Sequence, residues 1–349
     1  MLGPLIFLIL IGDIDEEIAH SVLKSFADDT RATKSVKSTE DTILLQKDQD
    51  ETYKWTDKNN MMLNDVKFEL LRYGKNEGLK NQTSYTTPSG DLITTKQEVK
   101  DLGVIMSNDC LFVKQINTVI EKAKNLISWI LRSFRTRNFD AMITLYKSLV
   151  IPILEYCSVL WCPSSIGLIQ NLEAIQWSFL RKTNGSAGND YWTCLKNMKV
   201  YSLQRRRERY RIIYIWKVLE NLVPNINDQI KCKENARRGR HCIIPRLRGN
   251  GKTRSIHEAS LSVHGSKLFN ALPKQIRDTT NVSIAKFKRA LDAYLAHIPD
   301  EPQIPGYTAC KRASSNSIIH MHKNAPSDAV PASLQELHNS QGEANDRLA

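Results

Sequence analysis

"VLKSFADDTRAT", residues Val22 to Thr33, sets two adjacent carboxylates, Asp28 and Asp29, between two runs that read as short strands. Strand-like runs on both sides of a polar turn predict a β-hairpin with the aspartates at its tip. A tight turn leaves both side chains exposed and close together, the arrangement a divalent cation with oxygen ligands requires. Aspartate is equally a common turn residue that simply faces water. The dipeptide alone does not separate these readings; its surroundings must.

The chain of 349 residues has room for two or three domains, and its 41% hydrophobic content is enough for a sizeable core. Its net charge of +12 points toward a polyanionic partner. The charge is uneven, with a net excess of six acidic residues in 1–110 and of 18 basic residues beyond. An acidic part followed by a basic body suits a metal site joined to a phosphate-gripping module; the competing reading is a basic protein with solvated Lys and Arg faces. Seven cysteines, Cys110, Cys157, Cys162, Cys194, Cys232, Cys242 and Cys310, are an odd number without a CxxC pair, which argues for a reducing compartment. Cys232, His241 and Cys242 lie close in "KCKENARRGRHC" but fit no standard zinc spacing. "MLGPLIFLILI" is too short to span a bilayer and lacks a basic lead-in or a cleavage site. It reads as a buried helix that has lost upstream neighbours, in a nuclear or cytoplasmic protein that is neither secreted nor membrane-bound.

Further along, residues 3–18 read as an apolar helix with Pro4 in its first turn. Thr39 to Met62 is helical, with Leu45, Thr52 and Trp55 on a shared face that polar Gln49, Thr52 and Asn59 interrupt. "VKFELLRYG" and "TKQEVKDLGVIM" read as strands. Phe112, Ile116, Val119, Ala123, Ile127 and Ile130 then recur at three- and four-residue intervals, and the chain turns helical. Pro152 is expected to kink or divide the second of these helices. "LQRRRERYRIIYIWKVLENL" is another helix, and helical spacing returns in "VHGSKLFNALPKQIRD" and "SIAKFKRALDAYLAHI". Everything past Pro302 is polar and is expected to be disordered.

"FADD" between strand-like runs, preceded by "LGPLIFLILIGDI", resembles the reverse transcriptases of non-LTR, LINE-type retrotransposons, particularly jockey-like elements. In that family an aromatic-Ala-Asp-Asp box forms the hairpin of the polymerase palm, and the helix before it follows a Gln-Gly-Ser-x-Leu-Gly-Pro segment, of which Leu2, Gly3 and Pro4 are present. "NDVKFELLRYG" is similar to the next palm motif and puts Lys67 at the lysine position that approaches nucleotide phosphates, with Asn64 and Glu69 matching beside it. "KDLGV" resembles the segment supporting the primer end. "LYKSLVIPILEYCSVLWCP" and "LEAIQWSFLRK" resemble thumb-like helices; "YSLQRRRERYRIIYIWKV", "SVHGSKLFNALPKQIR" and "IPDEPQIPGYTA" resemble the stretches that follow. The likeness covers most of residues 1 to 310.

The resemblance implies an α+β fold: a truncated palm over 1–105, a helical thumb and connection over 106–230, a basic C-terminal region over 231–301 and a disordered tail over 302–349. It implies Asp28 and Asp29 as Mg²⁺ ligands and catalytic residues together with Lys67, with an RNA template and a DNA primer as partners. It also implies incompleteness. A third catalytic aspartate and the fingers belong upstream in this family, and two-metal catalysis needs the full carboxylate cage. The polar residues Gln49, Thr52 and Asn59 stand where the family carries apolar ones, as though the chain had drifted. The expectation is therefore a catalytically incompetent fragment of an RNA-directed DNA polymerase, with a non-enzymatic nucleic-acid-binding remnant as the alternative. For that alternative, "RRRERYR" supplies Arg205, Arg206, Arg207, Arg209 and Arg211 beside Tyr201, Tyr210 and Tyr214, to grip phosphates and stack on bases; a solvated helix face with Tyr210 and Tyr214 packed inward explains the same pattern. "GNGKT" at 249–253 lacks the first glycine and the preceding strand of a P-loop, and His257 and His264 read as structural.

Overall fold

The computed structural model describes residues 2–74, 76–135, 138–183, 190–300 and 316–322. The chain divides into two compact units, residues 1–112 and 113–349. Helices combine with small two-stranded sheets, an α+β content.

The first unit opens with α1 (Gly3–Leu10), followed by a 3₁₀ turn through Asp13. The helix is shorter than the sequence suggests, because Gly12 and the acidic "DIDEE" run do not extend it. None of its residues is buried, and Leu5, Ile6, Leu8 and Ile9 are all more than half exposed. Burial begins just after it: Ile11 and Ile14 join Leu23 and Trp55 in a small core. Strands β1 (Val22–Phe26) and β2 (Asp29–Thr33) form an antiparallel hairpin. Helix α2 (Thr39–Lys58) starts at a capping box, in which the Ser38 hydroxyl accepts from the Asp41 amide and the Asp41 carboxylate accepts from the Ser38 amide. From α2, buried Asp48 accepts the His20 N–H at 3.0 Å, and the Trp55 indole N–H donates to Asp13 at 3.1 Å.

The polar interruptions of α2 have local uses. Gln49 Nε2 donates to the Thr86 carbonyl at 3.0 Å, Thr52 Oγ1 to the Asp48 carbonyl, and Asn59 Nδ2 to the Trp55 carbonyl at the helix end. The strand-like stretches beyond α2 resolve into β3 (Glu69–Leu71), then α3 (Glu77–Gln82), then β4 (Thr94–Lys96), with β3 and β4 paired in parallel. Strands β5 (Glu98–Asp101) and β6 (Val104–Ser107) form the next antiparallel pair.

The second unit begins with α4 (Val113–Ser133), whose Ile116, Val119, Ala123, Ile127 and Ile130 are all buried, as their spacing predicts. Helices α5 (Phe139–Leu145) and α6 (Ile151–Glu155) are joined by a π-turn, Tyr146–Val150. Pro152 lies just beyond; it has no N–H for the Ser148 carbonyl, and the helix widens there instead of breaking. Helices α7 (Ile166–Leu180), α8 (Tyr191–Met198) and α9 (Leu203–Leu219) follow, then the hairpin of β7 (Lys231–Asn235) and β8 (Gly239–Ile243). Gly239 takes a φ of +68° where a Cβ would sit 2.4 Å from the Asp278 carboxylate, so only glycine fits. Helices α10 (Gly251–Ala259), α11 (Ser266–Asn270), α12 (Lys274–Arg277), α13 (Ile284–Leu295) and α14 (Ile318–Met321) follow among the described residues.

Trp216 of α9 stacks on Phe287 of α13, ring centroids 4.3 Å apart, in a core that also takes in Cys242, Leu268, Phe269 and Leu291. Residues of the basic stretch after 231 thus share one core with α9. Most of the expected disordered tail, 302–349, lies outside the described residues. Residues 316–322 depart from that expectation: Ile318 and Met321 are buried in the core, and the Ile318 N–H donates to Glu208 at 2.8 Å. No helix among the described residues is long and apolar enough to cross a membrane.

Candidate functional site

In the β1–β2 hairpin the register pairs Phe26 with Asp29, leaving Ala27 and Asp28 as a two-residue loop. Ala27 carries the left-handed φ that such a loop demands, +52°, with a residue that has a Cβ. Leu23 is the hairpin's one buried residue, and Asp28 and Asp29 both face solvent. The Ser25 and Thr30 hydroxyls meet across the strands at 3.1 Å. Lys24 sits opposite Arg31, a like-charge pair, and Arg31 turns to form an ion pair with Asp101. Lys67 lies on the exposed side of a 3₁₀ turn, Asp65–Lys67, whose first residue accepts the Tyr53 hydroxyl at 2.8 Å.

Among the described residues, no group of three or more His, Cys, Asp or Glu is placed to hold a metal. Two consecutive exposed carboxylates, with no further ligand among the described residues converging on them, do not fit a two-metal cage, which needs preorganised ligands in a partly dry site. The zinc idea fails on alternation: Cys232 and Cys242 share one face of the β7–β8 hairpin, whereas His241, adjacent to Cys242, points to the other. Because both aspartates are exposed, Asp28→Ala/Asp29→Ala is expected to change stability by no more than about 0.5 kcal/mol. Matched urea denaturation curves check this, and a larger loss contradicts the solvated placement.

All five arginines of α9 are engaged by partners within the protein, and three of them are buried while Arg206 and Arg209 stay partly exposed. Arg205, Arg207 and Arg211 are 0%, 2% and 2% exposed. Arg205 donates to the carbonyls of Ile298, Pro299 and Asn316 and lies 3.7 Å from Asp300. Arg206 pairs with Glu155, and Arg209 with Asp292. Arg207 donates to the Leu203 and Leu154 carbonyls, with its guanidinium 5.1 Å from the Trp161 ring centre. Arg211 donates to the carbonyls of Ala259 and Val159 and reaches His264 Nδ1 at 3.2 Å. Tyr210 and Tyr214 pack against the core, and the Tyr210 hydroxyl donates to Glu155 at 2.9 Å.

The carboxylates that hold this helix were missed in the sequence. Glu173 of α7 accepts the amides of Leu203 and Gln204 at 3.2 and 2.7 Å, and Asp300 accepts the Ser202 amide at 2.7 Å. Both satisfy amides that the first turn leaves open. Burial pushes the carboxyls of Glu173, Glu208 and Asp300 above the usual range. The available signal was Glu173 itself, a lone acid in the apolar run "LIQNLEAIQWSFL".

The β7–β8 hairpin and the stretch after it carry exposed positive charge at Lys233, Arg237, Arg238, Arg246, Arg248 and Arg254, and further exposed cations lie on α4 at Lys114, Lys122, Lys124 and Arg132. A solvated cluster of this kind can contact phosphates, because it has little desolvation penalty to overcome. No family model, no curated protein and no solved structure matches the chain.

Proposed function

We propose that this chain carries the palm hairpin and helical body of a LINE-type RNA-directed DNA polymerase, and that on its own it binds nucleic acid without synthesising DNA. The observation that supports the polymerase origin is the FADD hairpin, which exposes Asp28 in its two-residue loop and Asp29 at the start of β2, with the Lys67 turn downstream of it. In the parent enzyme Mg²⁺ supplies the charge stabilisation for phosphoryl transfer. Asp28 and Asp29 are its ligands on this reading, and two exposed carboxylates hold it weakly.

Primer extension on an RNA template with Mg²⁺ should give the same signal for this chain and for Asp28→Ala/Asp29→Ala. Synthesis well above the double variant would overturn the claim that the chain is inactive by itself.

The binding surface on this reading is the exposed basic hairpin and not α9. Affinity for a single-stranded or duplex probe should fall steeply with salt, and Arg237→Ala/Arg238→Ala should flatten the log–log slope by about 1.4 to 1.8. Affinity that ignores salt, or no binding at low salt, defeats this half of the proposal.

A further inference from the structure

The β7–β8 hairpin places Cys232 directly across from Cys242 in an antiparallel register. Antiparallel neighbours either hydrogen-bond to each other or turn their backbone groups outward, and the outward kind brings the two side chains closer. Cys242 is of the outward kind. Its N–H donates to Asn270 Oδ1 at 2.8 Å and its carbonyl accepts from Asn270 Nδ2 at 2.8 Å, so neither backbone group reaches Cys232. Arg240, two residues earlier, shows the same phase: its N–H goes to Asp278 at 2.6 Å and its carbonyl to Arg277. Such a pair has a Cα separation of about 4.5 Å, which lies inside the range of about 4.4–6.8 Å that a disulfide spans.

We infer that Cys232 and Cys242 are a redox pair, oxidised by hydroperoxides to a disulfide that staples the hairpin. Cys242 is fully buried in the core cluster, whereas Cys232 is partly exposed, and this assigns the order of events. The Cys232 thiolate attacks one peroxide oxygen; a sulfur–oxygen bond forms, the oxygen–oxygen bond breaks, and the departing oxygen leaves as water or an alcohol after taking up a proton. Cys242 then attacks the Cys232 sulfur. The sulfur–sulfur bond forms, hydroxide leaves with the Cys242 proton as water, and two thiols have been oxidised as one peroxide is reduced. The thiolate needed for the first step is favoured at Cys232, the partly exposed member of the pair, whose thiol is pushed down to about 6 by the adjoining Cys242 thiol first, then by the His241 backbone and Arg240, against burial. The Cys232 partner first, and then burial, push the Cys242 thiol up, so it waits as the resolving group. Asn270 holds β8 in register throughout, since its bonds are to backbone atoms that the reaction leaves alone.

The test uses the full chain, hydrogen peroxide at neutral pH, and peptide mapping by mass spectrometry. The expected result is loss of two free thiols, a Cys232–Cys242 cross-linked peptide, and full return of both thiols with dithiothreitol. In Cys242→Ser the Cys232 sulfur should stop at sulfenic acid and be trapped by dimedone. The mapping in the unsubstituted chain decides by itself, whatever the fold of the variant. A dimedone adduct on Cys232 with Cys242 still reduced, a bridge to another cysteine, or both thiols unreacted while exposed Cys110 and Cys157 oxidise would each overturn the pairing.

Discussion

Arg205→Met should destabilise the protein by about 3–5 kcal/mol, the usual result of removing one partner from a buried ion pair. The side chain is fully buried and donates to three carbonyls, so methionine fills the volume and leaves Ile298, Pro299 and Asn316 without their donor. It also leaves Asp300, already raised by burial, without its nearest positive charge. Asp300 in turn holds the Ser202 amide, so the start of α9 loosens with it. Urea denaturation measures the effect. A loss under about 1 kcal/mol together with weakened nucleic-acid binding would return Arg205 to a phosphate-contacting role, because surface substitutions usually stay within about 0.5 kcal/mol.

Acidification supplies the second large effect, through His264. Its imidazole is pushed down to about 3, by burial first and then by the charges of Arg211 and Lys267, with Glu258 opposing and His320 adding to the depression. The unfolded chain takes up that proton near 6.5 and the folded chain does not, so stability falls as pH drops from 6.5 toward 3. Between neutral pH and pH 5 this amounts to up to about 2 kcal/mol, at roughly 1.4 kcal/mol per unit. Glu173, Glu208 and Asp300 act in the opposite sense. Their folded values are raised, so they favour the fold at low pH and lose that contribution as pH rises through those values. Comparison with His264→Gln, whose amide oxygen can still accept from Arg211, isolates the histidine. The variant should lose less stability on acidification than the parent; parallel curves from pH 7 to 5 would remove His264 from the account.

The features that were legible in the sequence depend on neighbours a few residues apart. The spacing of Phe112, Ile116, Val119, Ala123, Ile127 and Ile130 predicts a buried stripe; α4 buries the last five, because a 3.6-residue period is a property of the helix itself, while Phe112 precedes the helix with a φ of +57° and is only partly buried. The hairpin around Asp28 and Asp29 was equally legible, since a two-residue turn between strand-like runs needs no distant partner. Pro152 was expected to kink or divide its helix, and the structure resolves this as a π-turn, a choice open only once the packing around Tyr146 and Val150 is in place.

What the sequence by itself determined is this local frame: where the hairpins and amphipathic helices lie, and that two aspartates stand at a turn. The tertiary structure alone decided what the charges do. "RRRERYR" has a cation at nearly every position and no period from which burial can be read. Its fate is set by Glu155, Asp292 and Asp300, carboxylates about 50 to 95 residues away in the chain, and by carbonyls that a folded backbone aims at the helix. A buried charge is tolerated only where such partners converge, and convergence across that separation is written in no local pattern. Cys232 and Cys242 follow the same logic: ten residues apart, they face each other only because β7 and β8 pair in one register out of the two parities available.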